Sequence, residues 1–147
     1  MPTLPLMYEL TELRKSIEEQ NYQKALQIID ELEEMSVEDK LNKISSYLIV
    51  LLTHLIKEQA EGKLTNSWRH SINNSAFQIN KTNKRRKSGG YYAKKAEMNE
   101  MIAEVFDLAT ERAALEAMGG SYSPEQLREL IDVDLVQQKA IALINFD

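Results

Sequence analysis

The sequence predicts an all-α protein, a single-domain antiparallel helical bundle of about five to six helices spanning residues 1–147. Three observations carry this expectation. Apolar residues recur at spacings of three and four along most of the chain, and no useful length alternates with period two. Five Gly and three Pro in 147 residues leave too few breakers for a turn-rich sheet protein. The most apolar run, residues 47–56, is roughly half of a bilayer span and so reads as a core helix.

Taken in order, Leu6, Leu10, Leu13 and Ile17 form one face of a first helix that ends near Glu19, Gln20 and Asn21. A second helix starts at Tyr22, with Ala25, Leu26, Ile29 and Leu32 on one stripe. Glu33 falls inside that stripe, an informative place for a carboxylate because unpaired burial costs several kcal/mol. Ser36 reads as an N-cap with Asp39 as its partner, so a third helix is placed at about residues 36–60. Val37, Leu41, Ile44, Leu48, Leu51 and Leu55 form its seam, while Ile49, Leu52 and Ile56 widen the apolar arc enough to require neighbours on several sides. Tyr47, Val50 and His54 lie together on the other face.

After Gly62, Asn66 or Ser67 caps a fourth helix carrying Trp68, Ile72, Ala76 (or Ser75) and Ile79. It runs into a basic interhelix loop at residues 81–95. A fifth helix is expected from near Tyr91, with Met98, Met101, Ile102, Val105, Phe106, Ala109 and Ala113 inside, stopping at Gly119 and Gly120. Arg112 and Glu116 continue that stripe as a pair four residues apart. Ser123, Pro124 and Gln126 form a helix start with a cap, a first-turn proline and a capping-box partner. One or two last helices carry Leu127, Leu130, Ile131, Leu135, Val136 and Ile141, with residues 136–147 as an additional helix or tail.

Composition narrows the function classes. The chain has no Cys, hence no disulfide and no thiolate metal site, which fits a cytoplasmic protein. Its first residues lack the basic and then apolar order of a secretion signal. Net charge is −5, yet no acid occurs between Glu61 and Glu97, a stretch holding nine of the eighteen basic residues. Such asymmetry concerns partners rather than fold.

Four blocks of the chain resemble a known family. Residues 19–26 with 30–36, then residues 51–57, 67–69 and 122–127, are similar, in that order, to the bacterial family catalogued as domain of unknown function 29. Glu58, Gln59 and Ala60 stand where that family usually has an aromatic residue. The resemblance implies an all-helical bacterial protein and brings no established activity. His54, Trp68, Arg69, Glu33, Glu34 and, loosely, Glu116 match family positions.

Two candidate sites follow. The first is a polar pocket around His54, with Glu33 and Glu116 as carboxylates, Trp68 beside them, and Arg69 and Arg112 as anion clamps. The plainer reading of the same residues is an ion-pair network that fixes helix register. The second is the basic loop, where Lys81, Lys84, Arg85, Arg86, Lys87, Lys94 and Lys95 flank Tyr91 and Tyr92 and can track a phosphate backbone. The plainer reading there is a solvated connection, and a pI near 5.2 is low for a nucleic-acid binder.

Catalytic spacings are missing. No Glu-x-x-His pair, no His-Glu-x-x-His, no glycine-rich phosphate loop and no Gly-x-Ser-x-Gly elbow is present. The expectation is therefore a non-catalytic protein-interaction module with a protein partner or a homo-oligomer. Nucleic-acid binding and a small-ligand site or enzyme at His54 remain as alternatives, and no cofactor, metal or membrane is expected.

Overall fold

The computed structural model describes residues 3–85 and 89–146, with side chains from Tyr8 onward. Among the described residues six α-helices follow one another: α1 (Thr3–Glu18), α2 (Tyr22–Glu61), α3 (Asn66–Asn83), α4 (Lys95–Glu116), α5 (Pro124–Leu130) and α6 (Val133–Ala142). The bundle class is as expected, and among the described residues the only strand-like pairing is an isolated bridge between Lys84 and Tyr91. Among the described residues no helix is long and apolar enough to cross a membrane.

The chain groups into two compact units, Met1–Asp39 and Lys40–Asp147, and the division falls inside α2. The helix expected to end before Ser36 and the one expected to begin there are a single element. The physical reason is readable: Tyr22 to Glu61 contains no Gly or Pro, and Ser36 is one weak interruption among good helix formers.

The first unit is a helical hairpin. α1 stops because Gln20 takes the left-handed conformation (φ 61°), and the Asn21 N–H then bonds the Ser16 carbonyl at 2.8 Å. The Asn21 side chain accepts from the Lys24 N–H and opens α2, while Lys24 pairs with Glu12 at 3.3 Å. Among the described side chains of this unit, Ser16, Ala25 and Ile28 are buried. The expected stripe divides: Ala25 and Leu32 turn inward together with Ile28, which was not placed on it, whereas Leu26, Ile29 and Glu33 share an exposed face with Tyr22. Glu33 is therefore exposed rather than buried, because two helices cannot cover the full stripe of either. Leu10 and Ile17 of α1 are also exposed, and the side chain of Leu6 lies outside the described residues.

The second unit has the core. Ile44, Leu48, Leu51, Leu52 and Ile56 of α2 are fully buried, with Leu55 close behind, against Ile72 and Ile79 of α3 and Met98, Ile102 and Phe106 of α4. α4 contacts the turn after it and both α5 and α6. Its small residues Ala109 and Ala113 let α2 approach closely enough for the Thr53 hydroxyl to reach the Ala109 carbonyl at 3.4 Å, besides donating to Ile49 at 2.6 Å.

Boundaries moved where backbone clasps intervene. Thr65, rather than Asn66 or Ser67, caps α3 by accepting from the Trp68 N–H. α4 begins at Lys95 instead of Tyr91, since Tyr92 and Ala93 are bound to Asn83. It ends at Glu116, before the paired glycines, because Met118 and Gly119 both adopt positive φ. The start at Ser123 has the anticipated reciprocal bonds with Gln126, and Asp132 caps α6.

Candidate functional site

α2 delivers two polar residues into the second unit, His54 and Lys57, three residues apart and hence near one another on the helix surface. Lys57 is 4% exposed, an unusual position for an ammonium. Its Nζ donates to Glu116 Oε2 at 2.5 Å and lies 4.5 Å from the centre of the Trp68 ring. An aromatic face and a carboxylate together replace the water the charge has lost.

Each partner is placed by a local device. The Thr65 cap fixes the first turn of α3 and with it Trp68. The end of α4 at Glu116 leaves that side chain 61% exposed at the negative end of a helix dipole, an unfavourable place for an anion. Lys57 offsets this. Its hydrogen bond, and to a smaller extent its charge and that of His54, hold the Glu116 carboxyl below its ordinary value of 4.5 against the opposing effect of burial. His54 is half-buried and its Nδ1–H donates to the Val50 carbonyl at 2.9 Å.

The predicted pocket is thus assembled only in part. Glu116, Trp68 and His54 come together around Lys57, a residue not singled out beforehand as a site member. Its phase was legible, since Lys57 falls on the face of α2 that carries Val50 and His54. Glu116 is bound to Lys57 and not to Arg112, which is exposed. Arg69 is exposed and faces a different cavity, and Glu33 is an exposed residue of the first unit. Chemically the cluster is a held ion pair: an ammonium bound to a carboxylate has no lone pair to attack with. Among the described residues no group of three or more His, Asp or Glu side chains can hold a metal ion.

The basic loop is closed at its base by Asn83, which is 1% exposed. Its amide donates to the Ala93 carbonyl at 2.9 Å and accepts from the Ala93 N–H at 2.8 Å. Its own carbonyl accepts from Tyr92, and the Arg85 N–H bonds Gly90 at 3.0 Å. Of the loop's aromatics, Tyr91 meets Phe146 edge-on at 6.0 Å and Tyr92 lies under the Arg85 guanidinium at 4.7 Å. Lys81, Lys84, Lys94 and Lys95 are exposed, while Arg86 and Lys87 lie outside the described residues.

Two further amides escaped the sequence reading because an isolated Asn or Gln has no pattern. Asn80 ties α3 to the end of the chain, donating to Leu143 at 3.1 Å and accepting from Asn145 at 2.9 Å. Gln59 Oε1 accepts from the Asp132 N–H at the start of α6, while its Nε2 is buried with no hydrogen-bond partner. An unmet buried donor costs about 1–3 kcal/mol.

Near Gln59 the surface is concave. A cavity of about 370 Å³ has Leu55, Leu64 and Ile72 in its wall with Arg69 and Lys139. A second of similar size joins it, sharing Glu58, Leu64 and Lys139 and reaching Gln59 and Lys63.

In comparison with known proteins, the family described as "Domain of unknown function DUF29" matches residues 9–134. No curated protein and no solved structure matches the chain.

Proposed function

The chain belongs to the family described as Domain of unknown function DUF29, a name that carries no activity, and from its own surfaces we propose that it is a non-catalytic protein-interaction module. The observation that carries this reading is the apolar exposure of the first unit. Tyr8 is 67% exposed and Leu26 61%, and Leu10, Ile17, Tyr22, Ile29 and Met35 are exposed with them, all within one short hairpin. Tyr22, Leu26 and Ile29 share one face of α2, and clustered apolar exposure of this kind marks interaction surfaces.

Charge indicates the partner. The first 39 residues contain three basic and ten acidic residues, a net −7. A basic amphipathic helix would cover the apolar face and neutralise the acids around it. A second copy of the same hairpin would bring ten more acidic residues to the contact, so a different chain is the better occupant.

The test is titration with a designed amphipathic helix of Leu and Lys, read by calorimetry. Saturable binding that weakens with salt and is lost in the Ile17→Ser, Leu26→Ser double variant is expected. Equal binding by that variant, or no saturable binding at all, overturns the reading.

A second reading rests on the exposed Lys81, Lys84, Lys94 and Lys95. These would supply phosphate contacts to a nucleic acid, although both tyrosines expected to stack on bases are already engaged within the protein.

A further inference from the structure

We propose that the joined cavities between α2, α3 and α6 bind a small amphipathic carboxylate, a molecule with an acidic head on an apolar body of about medium-chain fatty acid size.

The apolar part of the wall, Leu55, Leu64 and Ile72, has no polar atoms to satisfy and suits a hydrocarbon body. About 370 Å³ lies within the usual range for small-molecule sites. At the rim stand Arg69 and Lys139, and neither makes an ion pair among the described residues. Lys63 in the adjoining cavity makes only a long pair with Glu61, at 3.8 Å. Against these three cations the joined lining sets one carboxylate, Glu58. The site is therefore net positive in a protein whose total charge is −5.

A guanidinium and two ammonium groups are all donors, and the complementary group is an anionic acceptor. A carboxylate supplies two acceptor oxygens and suits the planar fork of Arg69. An amine would meet only Glu58.

This site is separate from the proposed docking surface, and its test is separate too. Decanoate is titrated into the full chain by calorimetry, with decan-1-ol and decylamine as matched controls. Decanoate should bind at one equivalent, and decanol and decylamine at least about tenfold more weakly, as expected for loss of charge-assisted hydrogen bonds. Arg69→Gln and Lys139→Gln, both at exposed positions, should each weaken decanoate by about tenfold with unchanged circular dichroism. No saturable decanoate binding overturns the proposal. So does decanol binding as tightly as decanoate, or decanoate binding indifferent to both substitutions.

Discussion

The two units of this chain use the same kind of helix to opposite ends. In the second unit Leu51, Leu52, Leu55 and Ile56 of α2 are buried, and even Lys57 is enclosed. In the first unit Tyr22, Leu26 and Ile29 of the same helix remain in solvent. Charge divides the same way, a net −7 in residues 1–39 against thirteen acidic and fifteen basic residues, a net +2, in residues 40–147. The difference teaches that apolar periodicity specifies a face and not its burial. Whether the face is covered depends on how many other helices the chain brings to it.

The largest expected effect tests this contrast at its centre. Leu48→Ala should cost about 2–5 kcal/mol in denaturant unfolding, whereas Leu26→Ala should stay within about 0.5 kcal/mol. Equal costs would mean that the two surfaces are equally covered and would remove the basis for the docking proposal. Next in size is the clasp. Asn83→Ala leaves both backbone groups of Ala93 without their partner and should cost about 1–3 kcal/mol. A change under about 0.5 kcal/mol by the same measurement would show that the clasp is dispensable.

The smallest effect concerns the ion pair, and it depends on pH. Glu116 has a folded-state value below 4.5 because of Lys57, so its contribution is complete above the unfolded value and is lost as pH falls through the folded one. Because Glu116 is largely exposed, that contribution is only about 1 kcal/mol. Unfolding of the wild type and Glu116→Gln should therefore differ at neutral pH and converge in acid below 4.5. A difference that persists unchanged in acid would show that Glu116 acts through packing instead.

What was legible in the sequence follows from the range of each interaction. The helices, the Ser123–Gln126 capping box and the inward faces of α2 and α4 are set by spacing over one or two turns, and a pattern records them. Merging of two expected helices into α2 went unread because a serine with an aspartate three residues on has the appearance of a cap whether or not the chain turns. The site was harder. Lys57 is defined by Trp68, eleven positions on, and by Glu116, fifty-nine positions on, and no local pattern carries that pairing. Asn80, Asn83 and Gln59 likewise take their roles from backbone groups brought near by the fold.

The Asn83 clasp has a practical consequence. The chain leaves α3 and returns to α4 through adjacent points, fixed by the Lys84 to Tyr91 bridge and the Arg85 to Gly90 hydrogen bond. Because the two points are held by residues 83–85 and 90–93 themselves, a pair of probes at the exposed Lys81 and Lys95 should report one fixed distance for as long as the clasp is intact.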